Sequence, residues 1–344
     1  MLRALAAVVL SFLAVTPVTA GSLDAAAIND AAIPAKPTSP DKLNGSIVKL
    51  QILLDHAHFS PGEIDGKLGE NAQKALSAFA EANELTPGKA ITPDLWDRLA
   101  ATSDGPVIVD YTIAEADVKG PFLRKLPAKM EDMKSLAALN YTSPREALAE
   151  KFHMSEALLS AINPGKKFDR AGETIAVANV IGRQDTMPVA RVEIDKARQT
   201  LKAFDADGKL MAFYPATVGS AEKPTPSGTL KVTAIHQNPT YRYNPEYRFK
   251  GVKSRRPFTI KPGPNNPVGS TWINLSAEGY GIHGTPDPGK VSKSASHGCI
   301  RLTNWDARAL SANVKRGTPV VFLDRPGETM APAQNPPLAK SSRT

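Results

Sequence analysis

One cysteine and two histidines lie close together near the end of the chain. Cys299 is the only cysteine in the sequence, His297 lies two residues before it, and His283 lies sixteen residues before it. A thiol becomes a strong nucleophile when a neighbouring imidazole lowers its pKa and takes its proton. Gly298 leaves the backbone beside the thiol unobstructed, so that N–H groups there can bind a developing oxyanion. These residues predict a thiol that attacks a carbonyl substrate.

Two other roles for Cys299 compete with catalysis. A lone cysteine is most often a small buried hydrophobic residue. Two histidines and a cysteine can also bind zinc, but the stretch contains neither the Cys-x-x-Cys nor the His-x-x-x-His spacing typical of zinc sites. The position of Cys299 beside His297 and Gly298 therefore favours a catalytic nucleophile, with no metal and no organic cofactor.

The residues around Cys299 resemble the signature of a known enzyme family. His283-Gly284, a short spacer and then Ser296-His297-Gly298-Cys299-Ile300-Arg301-Leu302 resemble the motif of the L,D-transpeptidases, cysteine enzymes that cross-link bacterial peptidoglycan. The resemblance extends over residues 188–323. The spacer is shorter than in many members of the family, and Arg301 stands where many members have asparagine.

The resemblance implies a β-sandwich with the cysteine at the edge of a groove, and it implies a role for each residue of the motif. Cys299 would be the nucleophile. His283 would be the proton donor and acceptor, oriented by the backbone carbonyl of Gly284. The oxyanion would bind near His297 and Gly298. The residues expected to contact the substrate are Ser296, Arg301, Tyr280 and Trp272.

The resemblance also implies the substrate, which is the peptidoglycan stem peptide. The Cys299 thiolate would attack the amide after the third residue of a tetrapeptide stem, release D-Ala and form a thioester. Transfer to an amine of a second stem would give a 3–3 cross-link. Water as the acceptor would make the enzyme an L,D-carboxypeptidase, and a protein side chain would make it a transferase that attaches proteins to peptidoglycan. A non-catalytic wall-binding protein and a cysteine endopeptidase are the alternatives from other classes.

The length of the chain limits the number of domains, and its charge limits the kind of binding partner. The 344 residues suffice for two or three domains. The formal net charge of +8 predicts an anionic partner. Nucleic acid is not favoured, because the sequence contains no basic helix and no aromatic–basic motif for it. Peptidoglycan, with its glycan strands and the free carboxylates of its stem peptides, fits this charge.

The N-terminus has the pattern of a secretory signal peptide, predicted to span residues 1–20. Arg3 precedes an almost unbroken apolar run over residues 4–15, and Val18-Thr19-Ala20 ends in the small residues that a signal peptidase prefers. The run is too short to span a membrane comfortably, and an uncleaved anchor is the alternative. No other segment is a candidate membrane span. We expect a periplasmic enzyme whose single thiol cannot form a disulfide within its own chain.

A linker and a three-helix domain are predicted next. The linker, residues 21–43, is rich in Ala, Pro, Ser and Asp. The helical domain spans residues 44–104, and Ser46 and Thr92 are its predicted helix caps. We expect this domain to have a hydrophobic core of its own. The domain resembles the peptidoglycan-binding domain often attached to wall enzymes, on the strength of Leu50-Gln51, Ile64-Asp65-Gly66, Gly69 and Phe79. A plain three-helix bundle without a ligand is the alternative.

The middle of the chain is predicted to contain a connector and a small α+β module. The connector, residues 105–138, is expected to contain a strand near 107–109. The module, residues 139–180, resembles the LysM type, a βααβ unit that binds glycan chains. Ser143 and Ser155 would cap its two helices, the opening strand is expected at 139–142, and the closing strand at 174–177. A spacer without a ligand is the alternative.

Residues 188–324 are predicted to form a mainly-β catalytic domain. Alternating apolar and polar residues, separated by Gly/Pro turns, predict the short strands of a β-sandwich. A basic, tyrosine-rich interruption at 238–266 is interpreted as a lid or substrate wall, with a solvated basic loop as the alternative. Asn304 is predicted to cap a helix, and residues 325–344 to be a disordered tail. The predicted whole is a multidomain protein.

Overall fold

The computed structural model describes residues 23–34, 39–88, 90–182, 186–219, 225–247, 252–293 and 298–324. The predicted signal peptide and the predicted tail lie outside these ranges, as do Ser296 and His297. Within the described ranges, none of the helices has the length and apolar character needed to cross a membrane.

Four helices precede the first strand in the described part of the chain. They are α1 (Ala25–Asn29), α2 (Gly45–His56), α3 (Glu70–Ala82) and α4 (Pro93–Ala100). Thr92 caps α4 as predicted, because its Oγ1 accepts from Leu95 N at 3.3 Å. The cap of α2 is Asn44 and not Ser46, since Asn44 Oδ1 accepts from Ser46 N at 2.9 Å.

The second group of elements surrounds a two-stranded antiparallel sheet. It contains β1 (Ile108–Thr112), α5 (Glu115–Lys119), α6 (Met130–Met133), α7 (Pro144–Lys151), α8 (Glu156–Ala161) and β2 (Thr174–Ala178). β1 pairs with β2 along its whole length. The opening strand therefore lies in the range predicted as a connector, where the sequence indicated a strand near 107–109, and the strand predicted at 139–142 is wrong. Leu139 instead exchanges backbone hydrogen bonds with Pro262 and Asn265, both at 2.8 Å.

The third group of elements forms a mainly-β unit with one helix. It contains β3 (Arg191–Asp195), β4 (Thr200–Phe204), β5 (Leu210–Pro215), β6 (Thr217–Val218), β7 (Gly228–Gln237), β8 (Tyr241–Tyr243), β9 (Phe258–Ile260), β10 (Thr271–Leu275), β11 (Gly281–His283), β12 (Ile300–Arg301), α9 (Asn304–Asn313) and β13 (Pro319–Leu323). Nine of these strands make one sheet in the order β5-β4-β3-β13-β7-β10-β11-β12-β6.

This sheet corrects the predicted sandwich of two sheets. The long strand β7 pairs with β13 through its first residues and with β10 through its last, so that the two halves are continuous. The terminal strands β5 and β6 follow each other directly in the chain. The sheet is therefore barrel-like, because it curls until its ends are brought together by the β5–β6 connection.

The segment predicted as a lid is partly a hairpin. β8 and β9 pair antiparallel, with Tyr243 opposite Phe258. Tyr243 is buried, and its ring stacks on Phe258 with centroids 4.8 Å apart. Two of the residues expected to form a loose wall therefore support this hairpin, while residues 248–251 lie outside the described part.

One hydrophobic core joins the N-terminal helices, the small sheet and the edge of the large sheet. Ile28, Leu53, Leu158, Val177 and Phe213 belong to the same buried cluster. The range predicted as a linker thus contributes Ile28 of helix α1 to this core, and the three helices do not have a core of their own. A second cluster fills the inside of the large sheet, with members such as Val192, Ile273, Ile300 and Leu310.

Candidate active site

Neighbouring strands place His283 and Cys299 in the same part of the sheet: β11 ends at His283, and β12 begins one residue after Cys299. They are parallel neighbours, with Ile282 opposite Ile300 and His283 opposite Arg301. Parallel strands cannot be joined by a tight turn and need a crossover of a dozen or more residues. Residues 284–299 connect the two strands, which explains why residues far apart in the sequence lie on neighbouring strands.

The candidate catalytic side chains belong to one face of these strands. Successive side chains of a strand point to opposite faces. Ile282 and Ile300 are buried in the core of the sheet, so His283 and Arg301 lie on the opposite face. Cys299, two residues before Arg301, is expected on that face too, and its Sγ lies 3.7 Å from the carbonyl oxygen of Gly279. The thiol is partly exposed, as a nucleophile must be.

His283 is held by a hydrogen bond and by a stacked ring. Its Nδ1 lies 2.6 Å from the carbonyl oxygen of Gly284. A carbonyl can only accept, so Nδ1 carries the proton and Nε2 is left with a lone pair that can act as a base. The Trp272 indole stacks on the imidazole with centroids 5.3 Å apart and planes 15° apart.

The charges around His283 favour the neutral ring. Burial, followed by the charge of Arg301, lowers the pKa of His283 to about 3, and the hydrogen bond to Gly284 only partly opposes this. Burial also lowers the pKa of Arg301, against the attraction of Asp287 and of Cys299. At neutral pH His283 is therefore an uncharged imidazole beside a guanidinium that can attract a thiolate.

Asn304 is a site residue that the sequence did not reveal. The cap of α9 is Thr303, whose Oγ1 accepts from Asp306 N at 3.1 Å, and the prediction that Asn304 caps this helix is wrong. Asn304 Oδ1 instead accepts from Ser270 N at 3.0 Å. A Cβ on Gly284 would overlap with that Oδ1. An asparagine at a helix start usually indicates a cap, so the sequence carried no signal for this contact.

The other predicted site residues are placed as follows. Trp272 packs on Gly281, where a Cβ would lie 2.5 Å from the indole, so its contacts are with the base and its strand. Tyr280 is partly exposed beside β11, and its carbonyl accepts from Leu275 N at 3.1 Å. Gly298 has a φ of 91°, in the left-handed region that glycine favours. Ser296 and His297 belong to the undescribed part of the crossover.

The crossover also rests on the N-terminal helices. Asn71 Nδ2 donates to the carbonyl of Val291 at 3.1 Å, and Lys74 Nζ donates to Ser292 Oγ at 3.0 Å. Both donors lie on α3. The segment that leads to Cys299 is thus anchored by a helix from outside the large sheet.

A cavity of about 990 Å³ lies between the N-terminal elements and α9, lined by residues such as His153, Trp305 and Asp306. Neither His283 nor Cys299 is among its lining residues. The candidate nucleophile Cys299 and the candidate base His283 lie at the strand face and not in this cavity.

Comparison with known proteins identifies the class of enzyme. A family model of the L,D-transpeptidase catalytic domain, YkuD, matches residues 190–322. The putative L,D-transpeptidase YkuD of Bacillus licheniformis is 30% identical over 177 residues, which are 51% of this chain and 90% of that relative. The probable L,D-transpeptidase YbiS of Escherichia coli is 29% identical over 192 residues, 54% of this chain and 61% of that relative. This chain belongs to the L,D-transpeptidase family and is an enzyme of that type.

A solved structure, an L,D-transpeptidase from Mycobacterium smegmatis, is similar over 40% of this chain and 58% of its own, with 21% identity and a TM-score of 0.33. A similarity of that size does not bear on the reaction. The match to the Escherichia coli relative spans about three fifths of that protein.

Proposed function

We propose that this enzyme is a peptidoglycan L,D-transpeptidase that works through the Cys299 thiol. The observation that carries the proposal is the 2.6 Å hydrogen bond from His283 Nδ1 to the Gly284 carbonyl. That bond leaves Nε2 of His283 free to act as a base. His283 lies on β11, and Cys299 directly precedes the neighbouring strand β12. The family resemblance supplies the substrate, which is a tetrapeptide stem ending in D-Ala.

In the acylation half-reaction, Cys299 Sγ attacks the carbonyl carbon of the third stem residue while His283 Nε2 accepts the thiol proton. Backbone N–H groups near Gly298, with the help of His297, hold the oxyanion. Collapse of the tetrahedral intermediate breaks the amide C–N bond, and His283 returns the proton to the departing amine of D-Ala. The product is a thioester between Cys299 and the shortened stem.

In the transfer half-reaction, an amine of a second stem attacks the thioester carbonyl and gives a proton to His283. The C–S bond breaks, the thiolate takes the proton back, and the new amide is a 3–3 cross-link. Water in the acceptor position would make the same residues an L,D-carboxypeptidase. An amine on a protein would give a link between that protein and peptidoglycan.

Arg301 is proposed to bind the substrate. The side chain is partly buried, and its Nε has no hydrogen-bond partner among the residues that the structure describes. The guanidinium lies close enough to Cys299 to interact with its charge, and a guanidinium can bind a stem carboxylate or carbonyl. Ser296, Tyr280 and Trp272 are proposed to complete the substrate site, Trp272 mainly by supporting His283.

We also propose that the enzyme is exported to the periplasm and that its N-terminal region binds peptidoglycan. Three of the residues that carry the resemblance to a wall-binding domain bond to one another. Gln51 Oε1 accepts from Gly66 N at 2.7 Å, and Gln51 Nε2 donates to Asp65 Oδ1 at 2.9 Å. Wall binding must therefore use other surfaces of these helices or of the LysM-like module, and pelleting with isolated sacculi tests it.

Muropeptide analysis tests the reaction. The purified protein is incubated with sacculi that carry tetrapeptide stems, and the products are identified by mass spectrometry. We expect 3–3 cross-links and released D-Ala from the wild type and neither from Cys299→Ala. The resemblance also implies that a carbapenem acylates Cys299, adding its mass to the wild type alone. Cross-linking by Cys299→Ala at the wild-type rate would refute the proposal.

A further inference from the structure

Hydrogen bonds join helix α7 to the residues packed behind His283. Glu150, near the end of α7, accepts from Asn304 Nδ2 through both carboxylate oxygens, at 3.0 and 3.1 Å. It also accepts from the Tyr141 hydroxyl at 2.8 Å. Asn304 is 1% exposed and begins helix α9, so these bonds connect the N-terminal elements to the catalytic sheet.

The partners of Asn304 fix which way its amide points. A carboxylate only accepts hydrogen bonds, so the Asn304 nitrogen must face Glu150. The same nitrogen donates to the carbonyl of Pro264 at 3.2 Å. Oδ1 must then face the other way, where it accepts from Ser270 N at 3.0 Å. Without an acceptor at Glu150, the amide would lose the main contact that decides its orientation.

The Asn304 oxygen is packed against the backbone that carries the orienting carbonyl. A Cβ added to Gly284, or to Gly269, would overlap with Asn304 Oδ1. A Cβ on Gly269 would also lie 2.6 Å from the Gly284 carbonyl carbon. The backbones of both glycines therefore pack against the Asn304 amide, which limits where the Gly284 backbone can lie.

We propose that Glu150 is a positioning residue for the catalytic base: through Asn304 it fixes the Gly284 carbonyl, and thereby the tautomer and ring orientation of His283. This inference rests on the proposed function, in which His283 is the base. It makes an element outside the large sheet a part of the machinery that orients the base. Burial raises the pKa of Glu150, and the hydrogen bonds from Tyr141 and Asn304 favour its ionised, accepting form.

The test uses the full-length chain labelled with 15N-histidine. The His283 signal is assigned with His283→Gln, and the 15N shifts report which ring nitrogen carries the proton. In Glu150→Leu we expect the Nδ1–H signal of His283 to weaken or broaden, and acylation of Cys299 by a carbapenem to slow by about 10-fold, a part of the 10²–10⁴-fold that acid–base catalysis provides. A role in stability alone would change the melting temperature and leave the His283 signal unchanged.

The controls separate positioning from general damage to this interface. Glu150→Gln keeps an oxygen for Asn304 and should retain both the signal and the acylation rate. Glu146, on the same helix, accepts from Asn265 Nδ2 at 2.8 Å and has no bond to Asn304. Glu146→Leu should therefore lower stability without changing the His283 signal. Equal effects of Glu146→Leu and Glu150→Leu on that signal would overturn the inference.

An exchange of donor and acceptor keeps the test decisive if Glu150→Leu does not fold. Asn304→Asp places two carboxylates face to face and should disturb the His283 signal. Combined with Glu150→Gln, the new donor at residue 150 should restore part of it, while the lost bond to Pro264 prevents full recovery. No recovery in the double variant would count against the inference. Unchanged acylation in His283→Gln would instead overturn the proposed function itself.

Discussion

The protonation state of His283 decides how this site starts its reaction. From the sequence we expected the histidine to lower the thiol pKa in the resting enzyme. Burial and the charge of Arg301 lower the pKa of His283 to about 3 instead, so an imidazolium is disfavoured at neutral pH. The thiol proton of Cys299 is therefore expected to move to His283 during the attack on the substrate. Before the attack, the positive charge of Arg301 is what favours a thiolate.

His283 and His297 should differ in what their loss removes. We expect His283→Ala to slow acylation of Cys299 by ~10²-fold or more, because the general base is lost. The pH midpoint of Cys299 alkylation by a small neutral reagent should change less, since His283 is uncharged at rest. His297→Ala should keep a reactive thiol and mainly lose turnover. A large rise of the alkylation midpoint in His297→Ala, with none in His283→Ala, would reverse the two roles.

At the scale of elements, the crossover between β11 and β12 connects the two parts of the candidate site, His283 with Gly284 at its start and Cys299 at its end. It begins at Gly284 and ends at Cys299, and α3 holds its middle through Asn71 and Lys74. Its first residue has no room for a side chain, because Asn304 occupies that space. The long interval between His283 and Cys299 thus follows from the connection that parallel strands require. The glycine at 284 follows from the close packing of Asn304.

Gly284→Ala tests this packing. The added methyl group must displace Asn304 or the Gly284 carbonyl, so we expect acylation to slow by at least ~10-fold, with a loss of stability of about 1–3 kcal/mol typical of overpacking. Gly289→Ala in the same crossover is the control, since its Cβ would meet only the flexible end of Glu63, at 3.1 Å. Wild-type acylation by Gly284→Ala would show that the carbonyl is not held as described.

At the scale of the whole molecule, the N-terminal elements and the catalytic sheet are one packed body. Phe213 of β5 belongs to the N-terminal core, and its backbone bonds to His58 and Ser60 at 3.0 and 2.9 Å. Ser60 Oγ also donates to the buried Asp306 carboxylate at 3.0 Å. Independent domains would leave the candidate catalytic site intact when residues 46–99 are deleted. Because the core is shared, we expect this deletion to damage the site.

A truncated chain that starts at residue 188 tests the shared core. We expect a lower melting temperature and binding of a hydrophobic dye, because Leu210 and Phe213 lose the helices that cover them. Replacing both residues with serine in the truncated chain should reduce dye binding. A truncated chain with the melting temperature and acylation rate of the full chain would contradict a shared core.

Asp306 should make this interface sensitive to pH. Burial raises its pKa to about 7, so between its unfolded value near 4 and pH 7 the native state holds a proton that the unfolded state has lost. Stability should therefore fall as pH rises through this window, by up to roughly 4 kcal/mol. Asp306→Asn should remove this dependence in denaturant unfolding from pH 4 to 8, whereas Asp207→Asn, at an exposed turn, should not. Parallel curves for Asp306→Asn and the wild type would contradict the prediction.

The sequence determined what depends on local chemistry. The motif around Cys299 indicated the family, and alternation predicted strands such as β3 and β7, since side-chain period and backbone conformation are linked. Caps such as Thr92 followed from the residue types that can accept from a helix N-terminus. Each of these features depends on residues within a few positions of one another.

Only the tertiary structure decided which distant residues meet. Pairing placed β1 against β2 where the sequence suggested 139–142, because hydrogen-bond partners far along the chain are not encoded by local pattern. The same holds for Asn304, whose amide serves Gly284 and Glu150 and does not cap its helix. The neutral state of His283 arises from burial and from Arg301 on a neighbouring strand, and both exist only once the chain has folded.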